Sequence, residues 1–549
     1  MTSGENVFSL GATSLAKSML GSDGSDLGVS DFRIVSENGS FYVVSGSTSG
    51  VILGVYQLLN EMFNFEFFKE GVYTLDHNVT ELKYFTIDLT QTAFIDYRAD
   101  YSGMNLYGST ISSTRLGLTT DDKLVVGDRH NSLTLIDKET YYSKHPNWYS
   151  TDGDQLCYTA HGDSAELDVL IDTVSDKLVY LLRASGAENK TYARFQMADT
   201  KTWCTCDACT AAATTYGSVS GAMLKTCNDI GEAVTRKLNK LGDSRKIRIV
   251  LLLYYATENV PVTKDSSGNY TLNSSIGTLE YVAPMWACLS KKIHSKSWFD
   301  VANASALDML NQMEAAFDEY WIWDYGVNFL DYLVPFNTFD NLGKDFSGLK
   351  NYHIGLYLYQ LANSAHNVTG FNSLKLYLMS KLMFDPTLNQ DTLTQKYFDN
   401  VYGAGGAKMK QIYDEYLALA RQNEQAGWNQ KWYSDSMVQK AYWPKETLQR
   451  WLTLVDESLQ LSGNDGVLSS SATPLANSAE MYERNILTDS VFIRYIYAKL
   501  YLQENTTENL AFKQQLLDDV RNLNFYQIRE LGSVDNTYLL ADMLGLTDQ

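Results

Sequence analysis

The chain has 549 residues, 45% of them apolar and 20% charged, an ordinary globular composition that excludes a disordered or fibrous protein. Its 44 basic and 65 acidic side chains leave a net charge of −21, so nucleic acid and anionic lipid are excluded as electrostatic partners. No run approaches the ~18 consecutive apolar residues of a membrane span, so no membrane insertion is expected, and six cysteines in so long a chain exclude a disulfide scaffold.

At about 150 residues per domain, the length suits three or four domains, or one large barrel with additions. The N-terminal MTSGENVFSLGATS lacks the basic and apolar regions of a signal peptide. A cytoplasmic location, or an extracellular or cell-surface one after signal removal, is therefore expected. The 37 Tyr, 10 Trp and 22 Phe suit a surface that stacks on sugar rings; a general bias toward tyrosine is the other reading.

The first element is a small α/β unit, assigned to residues 1–88. FRIVSENGSFYVVSG reads as two strands about a turn at Asn38-Gly39, and SGVILGVYQLLNEMFN as a helix with an apolar face at Val51, Val55, Leu58, Leu59 and Met62. Gly50 and Gly54 allow that helix to lie close to a sheet.

Eight apolar runs follow, assigned with their connections to residues 89–389. They are AFIDYRADY from Ala93, KLVVGD from Lys123, QLCYT from Gln155 and ARFQMAD from Ala193. Then come KIRIVLLLYYA from Lys246, EYVAPMWACL from Glu280, EYWIWDY from Glu319 and HIGLYLYQ from His353. VLIDTVSDKLVYLLRA, MLKTCNDIGEAVTRKLNKL and ASALDMLNQMEAAF are amphipathic helices between them. Eight strands alternating with helices predict an α/β fold, a (β/α)8 TIM barrel. A doubly wound sheet is the alternative, but no Gly-rich phosphate loop is present. Beyond Asp385-Pro386 five helical runs, from KYFDNVY to NLAFKQQLLDDVRNL, predict an all-helical C-terminal domain over 390–549, with GNDGVLSSSATPLANS as a linker.

In a barrel, chemistry sits at the C-terminal strand ends. That rule selects Arg98 and Asp100 after the first strand, Arg129 and His130 after the second, and Asp199 after the fourth. The fifth offers Tyr254, Tyr255 and Glu258, and the sixth contains Trp286. The seventh supplies Trp323, Asp324, Tyr325 and Asn328; the eighth supplies Tyr357, Tyr359 and Gln360. Two carboxylates on different strand ends, among aromatic rings, suit glycoside hydrolysis: one protonates the leaving oxygen, the other stabilises or attacks the anomeric carbon, or orients a 2-acetamido group. Each single Asp could instead be a helix cap, and His130 either bonds a sugar hydroxyl or is structural.

Cys204, Cys206 and Cys209 form C-x-C-x-x-C just after Asp199, and Cys157 belongs to the third run. These four thiols suit a structural zinc site; buried reduced thiols are the other reading. No catalytic cofactor or metal is expected.

YYSKHPNWYSTDGDQLCYT, then Asp199-x-x-x-W-C-x-C-x-x-C, then SGAMLKTCND containing Asn228, then WDYGVNFLDYLVPFNTF together resemble a large bacterial family of unknown function. Some of its members belong to glycoside hydrolase family 163, endo-β-N-acetylglucosaminidases acting on complex N-glycans. The run GSFYVVSGSTSGVILGVYQLLNEMFNFEFF is similar to the small domain preceding the barrel in α-glucuronidases and β-hexosaminidases. The resemblance covers roughly residues 30–405. It implies a secreted or surface-anchored, retaining TIM-barrel glycosidase whose partner is an oligosaccharide or glycoprotein glycan. By position Asp199 matches the family's fourth-strand acid, Asp324 with Trp323 and Tyr325 the WDY block, and His130 a second-strand histidine.

Three positions depart from the family pattern. Trp286 stands where a sixth-strand Glu is expected, Leu358 where the eighth strand carries an acid, and Ala198 where Asn is common. The sequence thus yields three functional expectations, the last of them a stability or adhesion module whose barrel has no open site. In the first, Asp199 is acid/base or acetamide-orienting, Asp324 its partner and Glu258 a reserve acid. Tyr255, Trp286, Trp323 and Tyr325 then form stacking walls, with Arg98, His130, Asn328 and Tyr359 as further sugar-binding groups. In the second, the barrel binds glycan without hydrolysing it, because the sixth-strand acid is missing.

Overall fold

The computed structural model describes residues 6–76, 81–101, 110–119, 124–361, 369–464, 466, 468, 472–525, 527–530 and 537–546. Lys123, at the head of the second run, and part of the 463–478 linker lie outside these.

The N-terminal unit is a four-stranded sheet in the order Phe8–Leu10, Ser40–Val44, Phe32–Glu37, Asp88–Gln91. The turn at Asn38-Gly39 has both residues at positive φ, +50° and +76°, the backbone a tight hairpin requires. Helix Thr48–Phe63 is capped by the Ser47 side chain, which accepts from the Gly50 amide. A β-carbon on Gly54 would stand 2.5 Å from Val43 Cγ1, and one on Gly50 would collide with Ser45, so both glycines are needed for this close approach.

The central array is parallel. Its order is Val125–Val126, Tyr192–Arg194, then the run holding Arg248–Val250 and Leu252–Leu253, then Met285–Ala287, Tyr320–Tyr325, Ile354–Gln360 and Tyr97–Tyr101. A bridge from Ala99 places Thr119 at the far edge. The two edges are thus close in sequence, on either side of 120–123, which lie outside the described residues. Ile249 through Leu253 are buried, as strands covered on both faces require. Helices Ser164–Leu182, Ser220–Lys240 and Ala304–Ala316 form where their periodicity predicts.

The strand expected at Gln155 is not in this array. Leu156 makes one antiparallel bridge, to Tyr149, and the chain turns through residues 160–162 instead. Among the described residues the pairings form parallel sheets in which the run at Gln155, expected as the third strand, takes no part. The reason lies in the side chains of this run, which bond and pack against a neighbouring loop.

Beyond the 385–386 break the five predicted helices form, Gln390–Val401, Gly406–Gln425, Lys445–Leu461, Ala479–Tyr501 and Thr507–Asn522, and a short sixth, Tyr538–Met543, follows them. One apolar core runs from the parallel strands into these helices. Helix Ala479–Tyr501 lies deepest and buries polar groups as well. Asp489 accepts from the Phe371 amide and the Tyr402 hydroxyl, both at 2.8 Å, and burial pushes its pKa up. Glu66, in the hairpin of Glu66–Lys69 and Val72–Thr74, accepts from the Tyr377 hydroxyl at 2.6 Å and pairs with Lys381 and Lys396, pinning the N-terminal unit to the helices. Among the described residues, no helix is long and apolar enough to cross a membrane.

Candidate active site

The strand Tyr192–Arg194 continues as extended chain to Asp199, and three neighbours fix that extension. The buried Gln155 side chain holds Ala198 from both sides, donating to its carbonyl at 2.8 Å and accepting from its amide at 3.1 Å. Ser132 donates its amide to the Gln196 carbonyl. His130 Nδ1 lies 3.0 Å from the Met197 carbonyl. A carbonyl only accepts, so Nδ1 carries the proton. The Tyr254 hydroxyl, 3.4 Å from that nitrogen, therefore directs its own proton elsewhere: Asp199 Oδ1 is 3.1 Å away and the Ala198 carbonyl 3.3 Å. Asp199 itself is exposed.

Two non-glycine residues here occupy left-handed backbone: His130 at φ +53° and Tyr255 at φ +48°. Such strained positions gather at functional sites. The Tyr255 ring lies tilted against Tyr254, centroids 4.6 Å apart, and is 39% exposed, with the Lys201 ammonium 5.5 Å from its centre. Burial, then the charge of Asp199, with Tyr433 and Glu530 also near, raises the Tyr255 pKa.

Glu530 was not foreseen. It arrives from the far end of the chain because the loop after strand Tyr320–Tyr325 is held between two later segments. The Phe329 amide donates to the Trp432 carbonyl at 2.8 Å, and its carbonyl accepts from the Glu530 amide at 2.7 Å. Tyr332 donates to the Ile528 carbonyl. Asn328 donates to the Ser434 carbonyl at 2.7 Å and accepts from the Ser434 amide at 3.0 Å. Trp432 thereby stacks on Tyr325, centroids 5.1 Å apart, with the exposed Tyr433 beside it. Half-buried Glu530 has its pKa raised, first by burial and then by the charge of Asp199. The Asp199 charge thus reaches Glu530, and burial together with that charge raises the Glu530 pKa.

Trp323 completes the wall. Its indole donates to Gln360 Oε1 at 2.7 Å, and the Arg129 guanidinium lies 5.6 Å from its ring. Asp199, His130, Tyr255, Trp323 and Tyr325, all selected from the sequence, belong to this region. No local signal in the sequence marks Trp432, Tyr433 or Glu530.

Asp324, Trp286, Glu258, Arg98, Tyr359 and Asn328, also selected from the sequence, are instead engaged by other groups. Asp324, expected as the partner carboxylate, is 2% exposed. It pairs with buried Lys291 at 3.3 Å and accepts from the Tyr357 hydroxyl at 2.7 Å. Burial disfavours its charge, but Lys291 and its hydrogen bonds outweigh that and hold the carboxyl well below the usual range. Trp286, expected as a stacking wall, is wholly buried; its indole donates to Glu258 Oε1 at 3.0 Å. Glu258 also accepts from the Ser290 amide at 2.9 Å, so it holds a loop rather than standing open as a reserve acid. Buried Arg98 donates to the Ile95 and Gly117 carbonyls. Buried Tyr359 donates to Thr338, and the Asn328 amide is engaged by Ser434. A cleft of about 1020 Å³ lies elsewhere, between the loops carrying Lys296 and Asp340 and the helix carrying Arg421.

Beside the Asp199 loop, Cys157, Cys204 and Cys206 gather with His161, their ligand atoms within 4.8 Å of one another, and Cys209 packs with the same sulfurs. The group is able to hold a metal ion.

Three solved structures share parts of this architecture. One is a family GH115 4-O-methyl-α-glucuronidase with specificity for decorated arabinogalactans, at 9% identity and TM-score 0.48, covering 91% of this chain and 68% of that one. The second is a GH89 protein of Clostridium perfringens in complex with its substrate GlcNAc-α-1,4-galactose, at 11% and 0.46, covering 89% and 61%. The third is a GH138 enzyme targeting pectin rhamnogalacturonan II, at 9% and 0.41, covering 98% and 91%. No curated protein matches the sequence. Likenesses this distant leave the chemistry to the chain's own side chains. The profile described as Domain of unknown function (DUF4838) matches residues 78–414, more than half of the chain, and the chain belongs to that family.

Proposed function

We propose that this protein is a glycoside hydrolase in which Glu530 is the general acid and Asp199 its partner carboxylate. The observation that supports this reading best is the pairing of the two acids at one aromatic mouth, with burial and the Asp199 charge raising the pKa of Glu530. A protonated acid assists the leaving oxygen, while an ionised partner attacks, activates water or orients a neighbouring acetamide. The Tyr254 hydroxyl donates to Asp199 Oδ1 at 3.1 Å and so orients that carboxyl group. Tyr255, Trp323, Tyr325, Trp432 and Tyr433 supply apolar ring faces bordered by polar groups, as sugar binding requires.

The substrate we assign is a GlcNAc-containing glycan, cleaved in endo fashion with retention, and complex N-glycans in particular. This finer reading is supported by the sequence resemblance of the HP-x-W…QLC and WDY…NF blocks to glycoside hydrolase family 163. Loss of the sixth-strand Glu at position 286 is compatible with turnover once Glu530 supplies the acid.

Incubation with complex N-glycoproteins and mucin glycans, read by mass spectrometry, tests the proposal. Wild type should release glycan, and Asp199→Asn and Glu530→Gln should not. Bound glycan without release from the wild type would replace hydrolysis by binding. Release unaffected by either substitution would remove both acids from their roles.

A further inference from the structure

We propose that Cys157, Cys204, Cys206 and Cys209 bind one zinc ion as four thiolates, and that this ion fixes the loop on which Asp199 stands. The inference is independent of what the site hydrolyses. All four cysteines are free, and Cys157 Sγ lies 3.8 Å from Cys206 Sγ and 3.6 Å from Cys209 Sγ. A disulfide needs about 2.05 Å between sulfurs. Four sulfurs at ~2.3 Å from a central zinc form a tetrahedron with edges of about 3.8 Å. The observed separations fit that tetrahedron and not a disulfide.

The surroundings suit thiolates. The His161 amide donates to Cys157 Sγ at 3.3 Å, and the Cys209 amide to Cys206 Sγ at 3.4 Å. The left-handed backbone at Ala160 and His161, φ +43° and +52°, accompanies the first of these bonds. The Thr159 hydroxyl lies 3.3 Å from Cys157 Sγ and 3.2 Å from Cys209 Sγ. Cys157, Cys204 and Cys209 are buried and Cys206 is half-buried, which makes a closed structural site rather than one with an open coordination position. Binding a dication to four thiols forms four metal–sulfur bonds and releases the protons the thiols held.

Cys209 is assigned as the fourth ligand because it is buried with its sulfur 3.6 Å from Cys157 Sγ, whereas His161 is exposed. The His161 Nε2 bond to the Tyr149 carbonyl leaves Nδ1 as the competing donor, and the variants below decide between the two. The ion would then join two chain segments on either side of the mouth. One carries Gln155, whose side chain clamps Ala198; the other begins at Asp199 and leads through Cys204 into helix Asp207–Tyr216.

The test is metal content of the full chain purified from zinc-replete cells, followed by exchange with Co²⁺. One zinc per chain is expected, and the cobalt form should show the d–d and thiolate charge-transfer bands of a tetrahedral four-sulfur site. Cys204→Ser and Cys209→Ser should lower the stoichiometry from one to none, whereas His161→Ala, Cys227→Ser and Cys288→Ser should keep it at one. If the cysteine variants fail to fold, the cobalt spectrum of the wild type still decides the donor set. Zinc at buffer background with six alkylatable thiols would overturn the site. Retention of the ion by Cys209→Ser but not His161→Ala would overturn the four-thiolate assignment.

Discussion

Asp199 and Asp324 both stand at the ends of parallel strands, and both accept a hydrogen bond from a tyrosine hydroxyl, Tyr254 in one case and Tyr357 in the other. Their surroundings separate them. Asp324 is sealed in the core with the Lys291 ammonium, whereas Asp199 is exposed and shares its mouth with a second acid, Glu530. A buried carboxylate paired with a cation locks a fold, because removing either partner leaves an uncompensated charge. A neighbouring negative charge disfavours ionisation of a second acid, and the raised pKa of Glu530 has that sign.

The largest effect expected from this contrast is kinetic. Glu530→Gln should lower turnover by about 10²–10⁴-fold, the range for loss of a general acid, with unchanged urea unfolding. In the wild type, activity should fall as pH rises through the elevated pKa of Glu530, because the acid must be protonated. Asp199→Asn should move whatever limb remains toward acid, since it removes a charge that raises that pKa. A limb that stays in place would break the link between the two acids.

The next effect is on stability. Asp324→Asn should cost about 3–5 kcal/mol in denaturant unfolding, as when one partner of a buried ion pair is deleted. The native pKa of Asp324 is depressed, so its contribution is complete above the unfolded value of about 3.9 and lost as pH falls through the native one. Asp345 has the opposite sign. Burial raises it to about 6, with the Ser297 hydroxyl and Trp298 amide as its donors. Its contribution is present below about 3.9 and lost as pH rises through about 6. Asp345→Asn should therefore flatten the stability slope between those two values; an unaltered slope would assign it to other groups.

Smaller effects sharpen the picture of the mouth. Tyr254→Phe deletes a hydrogen bond to a charged group and should cost about 1.5–3 kcal/mol in transition-state stabilisation, read from kcat/KM. Trp432→Ala should raise KM a few-fold, matching the ~0.5–1.5 kcal/mol typical of a ring contact, while leaving kcat intact. A fall in kcat instead would mean that Trp432 positions Glu530.

The legible part of the site was the part that strand ends place locally. Asp199, Tyr255 and Trp323 follow apolar runs whose burial on both faces is written in their composition, so their location at strand ends could be read from those runs. Gln155 and Cys157 were legible as residue types but not as structure. The run QLCYT has the apolar pattern of a strand, yet the Gln155 side chain clamps Ala198 and Cys157 joins the sulfur cluster, which only a neighbouring loop could reveal. Asp324 looked equivalent to Asp199, because Lys291, its neutralising partner, comes from a different loop.

By itself the sequence determined the alternation of strand and helix, the N-terminal hairpin turn, the helices beyond residue 389 and the grouping of four thiols near Asp199. These follow from local periodicity and from backbone preferences that act over a few residues. Tertiary structure alone decided which acid is buried and which is open, and it brought Trp432 and Glu530 onto the mouth through backbone bonds to Phe329. Burial and charge pairing depend on groups far apart in the chain, and no local pattern encodes their distance.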